Sequence, residues 1–304
     1  MSKALESLLE LLDLEQIEEN IFRGYSPKES RGRIFGGQVA AQALMAAGRT
    51  LNTGSPLKND ARGDDRRASV HSLHSYFLLI GDPTVPILYE VDRIRDGRSF
   101  TTRRVVAIQH GKAIFHLSAS FHIQEDGLEH QLTMPKVPMP EELPTLQERL
   151  LPLKDQSKVV QDLLNRPHPI DTRHIGELPW EKDSTGVVGE SKQRLWFKTD
   201  GVLPDDPLLH ACVVAYASDM YLIFSILIPH GVKWFDPGFM GASLDHCMWF
   251  HRPFRADKWL LYDQQSPVAF GARGLALGSI FDQNGTLVVS VSQEGLVRVG
   301  KTRP

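Results

Sequence analysis

The sequence predicts an α+β protein in which one plan is written twice, a helix followed by a long antiparallel meander. Three observations carry that expectation. Each half holds an apolar helical run, at 35–48 and at 208–228. Each run is followed by segments of alternating and β-branched residues that read as strands. The halves also echo one another: L-H-S-Y-F at 73–77 answers D-H-C-M-W-F at 245–250, and the interval from His74 to Gly111 nearly matches that from His246 to Gly285. Each sheet should curl around its own central helix and bury it.

The elements follow in order. Residues 3–20 are acidic, with Leu5, Leu8, Leu9 and Leu12 at helical spacing. They predict an amphipathic helix packed on the body, not a signal peptide. The run F-G-G-Q-V-A-A-Q-A-L-M-A-A-G at 35–48 is a Gly-led helix of small residues that a sheet can approach closely. The polar stretch at 51–68 reads as an exposed loop. Strands are predicted at 70–78, 87–94, 99–110 and 113–123, the last two joined by a turn at Gly111. The stretch 134–152 contains Pro135, Pro138, Pro140 and Pro144 and should be a linker or wrapping loop, leading to a short helix at 155–165. The second helix is expected over 208–228, then strands at 243–251, 259–266, 270–281 and 286–298, with a hairpin turn at D-Q-N-G, 282–285. The chain thus divides into a first module (1–128), a linker (129–165) and a second module (166–304).

Composition narrows the class. The chain has 304 residues, 41% hydrophobic and 23% charged, ordinary for two compact units. A net charge of −3 argues against a dedicated nucleic-acid binder. Cys212 and Cys247 both sit in apolar contexts, which points to a reducing, cytoplasmic setting without a disulfide framework. The C-terminal G-K-T-R-P is not a peroxisomal address. There is no G-x-S-x-G, H-E-x-x-H or C-x-x-C, so no serine-nucleophile elbow, metal or cofactor is expected.

Asp219 is the only formally charged residue between Leu208 and Ile228. A membrane span would carry it at a cost of about 2.5–3.5 kcal/mol. A core helix could use it to satisfy backbone groups. A core helix could also carry it as a catalytic acid or base, since functional carboxylates favour dry, perturbing surroundings.

The motifs choose among these. F-G-G-Q-V-A-A-Q-A-L, H-S-L-H-S-Y-F-L, R-D-G-R-S-F-T-T-R-R-V, Y-A-S-D, S-L-D-H-C-M-W-F-H-R-P-F and S-Q-E-G-L-V-R stand in that order along nearly the whole chain. Together they resemble the acyl-CoA thioesterase II family, the double-hotdog group of bacterial TesB-type enzymes and their peroxisomal relatives. The resemblance implies two tandem hotdog modules, each an antiparallel sheet wrapped around a long central helix. It implies hydrolysis of a fatty acyl-CoA to free fatty acid and CoA, and a homo-oligomer, dimer or tetramer. It also implies that Asp219, Ser243 and Gln293 hold the attacking water. The family often has Thr where Ser243 stands; Ser keeps the hydroxyl and loses the methyl that restricts its rotamer.

These residue types suit the chemistry. A carboxylate can take a proton from water, and a hydroxyl and an amide can each donate and accept to orient it. A backbone N–H must receive the oxyanion, with Gly36 and Gly37 as candidates. Arg95, Arg98, Arg103, Arg104, Arg252 and Arg255 are candidate contacts for the phosphates of CoA, and Trp249 and Phe250 for the acyl tail. The first module has no acid matching Asp219 and should be structural and help shape the pocket.

Two other functions compete. Asp205 and His210 are similar to the acid and histidine of hotdog enoyl-CoA hydratases, although Asp205 or Asp206 could simply cap a helix with Pro207 in its first turn. A non-catalytic acyl-CoA-binding module would keep the pocket without needing the three water-holding residues. His246 and Cys247 are adjacent on a predicted strand and should face opposite ways, which argues against a His-activated Cys nucleophile.

Overall fold

The computed structural model describes residues 2–27, 30, 32–52, 68–153, 158–166, 168–176, 178 and 191–300. The expectations for most of the polar loop and for the extreme C-terminus fall outside them. Helix α1 (Lys3–Leu12) starts where the Ser2 hydroxyl accepts from the Leu5 N–H, and it buries Leu5, Leu8 and Leu12. It ends earlier than the predicted 3–20 helix, because the apolar repeat stops at Leu12. Residues beyond it form a hairpin of β1 (Glu15–Glu18) and β2 (Ile21–Gly24).

Helix α2 (Gly36–Arg49) follows, buried from Gly37 through Gly48. Then come β3 (Ser69–Phe77), β4 (Ile87–Asp96), β5 (Phe100–Gln109) and β6 (Lys112–His122). In β5, alternate residues from Thr101 to Gln109 are buried, the period of a strand with one face on the core.

The Pro-rich segment crosses the outer face of the second half. Trp196 Nε1 donates to the Pro138 carbonyl at 2.9 Å. Met134, Val137 and Leu143 pack there on Trp196, Leu261, Phe281 and Leu287. Short helices α3 (Leu146–Leu150) and α4 (Lys158–Asn165) lead to β7 (Ile170–Ile175) and β8 (Lys192–Thr199). Helix α5 (Pro207–Ser218) and a single turn α6 (Phe224–Leu227) precede β9 (Phe239–Ser243), β10 (Asp245–Phe250), β11 (Leu260–Phe270), β12 (Arg273–Asp282) and β13 (Leu287–Val299).

Among the described residues the two meanders form one 13-stranded sheet, in the order β1-β2-β4-β5-β6-β3-β10-β13-β12-β11-β8-β7, with β9 branching onto β13. The echoing segments are the seam: β3 and β10 pair antiparallel, Cys247 opposite His74. The two expected meanders are thus joined edge to edge in one continuous sheet. Helices α2 and α5 pack antiparallel in its hollow. A Cβ on Gly37 would lie 2.5 Å from the Tyr216 carbonyl oxygen at one end, and one on Gly48 would lie 2.4 Å from Leu208 Cδ2 at the other.

Three further expectations are corrected. The 208–228 helix breaks after Ser218, so Asp219 caps a helix end instead of sitting mid-helix. No Gly or Pro marks that break; tertiary donors supply it, as Tyr262 Oη donates to the Ser218 carbonyl at 3.1 Å and satisfies a group the helix leaves open. The predicted 270–281 strand starts instead at Arg273, because Gly271 and Ala272 both adopt positive φ and make a tight turn. Strands β1, β2, β7, β8 and β9 were not predicted. Asp206, by contrast, caps α5 as expected, accepting from Leu208 and Leu209 N–H with Pro207 in the first turn. Asp206→Ala should lower the stability by about 1 kcal/mol in a denaturant titration.

Candidate active site

Asp219 follows the last residue of α5 with its backbone still near helical. Its side chain meets two strands. Gln293 Nε2 donates to Asp219 Oδ1 at 2.6 Å and to Ser243 Oγ at 2.9 Å, and Ser243 Oγ lies 3.4 Å from the same Oδ1. An ionised carboxylate only accepts, so the amide must present its NH₂ to it. Gln293 Oε1 is buried and has no hydrogen-bond partner among the described residues.

The sheet opens at this place. Strand β13 pairs with β10 up to Ser292 opposite Cys247, and with β9 from Gly295 opposite Ser243. Leu244 bridges the change, donating to the Glu294 carbonyl and accepting from the Phe77 N–H. Gln293 sits at this switch with its side chain fully buried toward the helices.

The first module completes the site. Helix α2 starts after Phe35 with no side chain capping it. The Gly37 N–H instead faces the Asp219 carboxylate closely enough to lower its pKa. A Cβ on Gly36 would lie 2.8 Å from Asp219 Oδ2 and 2.8 Å from Phe77 Cε1. So F-G-G lets the negative group of one module reach the positive helix terminus of the other. The first module was expected to help shape the pocket, and its helix start lies directly against the carboxylate.

Electrostatics at Asp219 are opposed. The residue keeps some surface, but its carboxyl group is enclosed, and that burial pushes its pKa up to about 6. Hydrogen bonds from Gln293, the Gly37 amide and Ser243, and the positive charge of Arg33, pull the other way. Arg33 is the neighbour that the motifs missed. It stands just ahead of F-G-G, donates to the Gly241 carbonyl at 3.2 Å and lies over the Trp234 ring. Its place in R-G-R beside that motif was the available signal.

Other predicted residues are not brought together here. Phe77, beside Gly36, is level with Ala107 of β5, whereas Arg95 pairs with Thr102, roughly 17 Å along the strand at ~3.3 Å per residue. Arg98 lies in that same distant hairpin. Arg103 is fully buried, donating to Thr50 and Asp96. Arg104 pairs with Asp92, and Arg255 with Asp205 and Asp257. Arg252 donates to the Leu287 carbonyl at the start of β13, roughly 20 Å along the strand from Gln293 at ~3.3 Å per residue. Trp249 pairs with Ser290 on the outer face of the sheet, with its ring edge-on to His74. Strand period and hairpin length, invisible in a list of arginines, put them there.

The hydratase pair does not assemble. Asp205 is exposed and turned to Arg255. His210 is buried, and its Nδ1 accepts from the Ala256 N–H at 3.0 Å. Cys247 lies half-buried on the face opposite the fully buried His246. Among the described residues no helix is long and apolar enough to cross a membrane, and no three acids, histidines or cysteines are placed to hold a metal.

Two helix-and-meander modules fused through one seam strand pair, with a carboxylate site where their helices meet, are the architecture of the double-hotdog class. A hot dog fold protein from Alicyclobacillus acidocaldarius agrees in fold, with TM-score 0.73 at 16% identity over 99% of this chain and 100% of that one. The chain belongs to the acyl-CoA thioesterase II family: models described as acyl-CoA thioesterase N-terminal domain and acyl-CoA thioesterase match residues 26–122 and 171–296. It is 41% identical to acyl-CoA thioesterase 2 of Haemophilus influenzae over 98% of this chain and 99% of that one. It is 40% identical to acyl-coenzyme A thioesterase 8 of Homo sapiens over 95% and 88%. The crystal structure of an acyl-CoA thioesterase II from Mycobacterium marinum superposes with TM-score 0.75 at 42% identity, covering 97% of this chain and 99% of that one. The protein is a thioester hydrolase.

Proposed function

We propose that the enzyme hydrolyses fatty acyl-CoA to free fatty acid and CoA by direct attack of water, with Asp219 as general base. Water bound between Asp219, Ser243 and Gln293 gives a proton to the carboxylate as its oxygen adds to the thioester carbonyl. The oxyanion collapses, the C–S bond breaks and the thiolate takes a proton from Asp219. No covalent enzyme intermediate is needed. The carrying observation is one carboxylate on which an amide, a hydroxyl and a helix-terminal N–H converge. The unpartnered Gln293 Oε1 suits a donor such as water. The Gly37 amide is engaged by Asp219, so Gly36 N–H is the better donor for the oxyanion.

The division into 1–128, 129–165 and 166–304 stays our reading, in keeping with family matches that stop at 122 and resume at 171. A homo-oligomer suits the exposed Leu78, Leu79 and Ile80 that follow β3. Unpaired Cys212 and Cys247 suit a reducing compartment such as the cytoplasm.

Free-thiol release tests the mechanism. Palmitoyl-CoA should be cleaved, and kcat/KM should climb as pH rises through about 6, where Asp219 ionises, then level off. A profile flat between pH 5 and 8 would remove Asp219 as the base. Loss of crotonyl-CoA absorbance without thiol release would favour hydration instead.

A further inference from the structure

We propose that His246 is a positioning residue for the catalytic carboxylate, acting through Ser218; this rests on the reading of Asp219 as the base. His246 on β10 is fully buried, and no step of the hydrolysis uses it. Its Nε2 lies 2.8 Å from Ser218 Oγ. Ser218 is the last helical residue of α5 and immediately precedes Asp219.

The protons of this contact can be assigned. The Ser218 hydroxyl donates to the Ala215 carbonyl at 3.0 Å. Its oxygen is then the acceptor, so Nε2 of His246 carries the hydrogen. Nδ1 is left unprotonated, buried and without a partner among the described residues. Burial lowers the pKa of His246 to about 4, so the imidazole stays a neutral donor across the working range.

The Ser218 residue is gripped from two strands. Tyr262 Oη, from β11, holds its carbonyl, while His246, from β10, holds its hydroxyl. The strand is held in turn: Ser75 Oγ donates to the His246 carbonyl at 2.7 Å across the seam from β3. The helix end is thus held on both sides, and the next residue, Asp219, meets Gln293 and Ser243. Without the imidazole N–H, Ser218 keeps its bonds to Ala215 and Tyr262 but loses its hold on β10, and the carboxylate loses alignment with its donors. Those donors favour the ionised form, so losing them shifts the base toward higher pKa. The other ionisable groups facing Asp219 are Arg33 and Tyr262, and neither changes in the variants below.

The test compares wild type, His246→Leu, His246→Gln and Ser218→Ala in thiol release across pH. His246→Leu is expected to lower kcat about tenfold with KM within about twofold. The acid limb of its kcat/KM profile should move up by about one pH unit. His246→Gln keeps an amide donor for Ser218 and should recover most of the loss. Ser218→Ala, which retains a strong helix former should the larger change fail to fold, should reproduce the shift. The double variant should be no worse than either single one, the mark of residues acting as a unit. Single variants with wild-type kcat and an unmoved midpoint, whatever their Tm, would reduce His246 to packing and overturn the proposal. A wild type that releases no thiol rejects the hydrolytic mechanism itself, which is a separate outcome.

Discussion

Asp219→Asn is expected to be nearly inactive and, above pH 6, more stable than the wild type. The amide keeps the size and the oxygen that accepts from Gln293, but it cannot take a proton. Losing a general base typically costs ~10²–10⁴ in rate, so kcat for thiol release should drop at least a hundredfold. The stability effect has a definite sign. The folded-state pKa is about 6 against an ordinary 3.8, so between those values the native state holds a proton that the unfolded chain has released. Stability from this group is therefore full below pH 3.8 and is lost as pH rises through about 6. At higher pH the enclosed charge costs about 3 kcal/mol at 1.36 kcal/mol per unit. Asn removes that cost. Melting curves should show the variant above wild type at pH 8 and level with it at pH 4. A kcat within tenfold of wild type would end the assignment of the base, and an equal Tm difference at both pH values would end the account of its burial.

The second large effect belongs to the glycine pair. In Gly36→Ala the new methyl meets the Asp219 Oδ2 and Phe77 Cε1 positions, both at 2.8 Å. These are ends of side chains and can move, so the fold should survive with little change in Tm. What moves is the carboxylate, and kcat should fall by roughly ten- to a hundredfold, since small misplacements of a catalytic group cost about that much. Gly37→Ala differs, because its methyl lies 2.5 Å from the Tyr216 carbonyl oxygen, a backbone atom. There the helices must separate, with about 1–3 kcal/mol lost to overpacking. Gly48→Ala, at the other end of the helix pair, would press only on the Leu208 side chain and should leave kcat alone. Equal kcat in the Gly36 and Gly48 variants would show that the close approach of α2 to Asp219 has no catalytic importance.

Much of the site was legible in the chain. A solitary acid in an apolar run announced itself by its cost. The motifs around Ser243 and Gln293 named its partners, and the structure brings all three within hydrogen-bond reach of one another. The echo of residues 73–77 in 245–250 marked the repeat. The arginines were not legible in the same way, because a cation has no periodic signature and its place depends on which hairpin carries it. Arg33 carries no motif signal of its own, while Arg103, a candidate phosphate contact by sequence, is fully buried.

The break after Ser218 was also illegible. Its stop signals are a tyrosine on β11 and a histidine on β10, distant in sequence. The same holds for the turn at Gly271 and Ala272, where an alanine takes a positive φ of 61° that local preference disfavours.

The sequence by itself determined the two central helices, the strands of each meander that follow them and the duplication, since these rest on residue type and short-range spacing, while the trio Asp219, Ser243 and Gln293 was legible through the resemblance of its motifs to the family. Only the tertiary structure decided that the two meanders fuse through β3 and β10, that α2 lends its N-terminus to an acid of the other module, and which cation stands beside that acid. Such features arise from packing between segments far apart in the chain, where the energy depends on three-dimensional proximity and leaves no pattern along the line of residues.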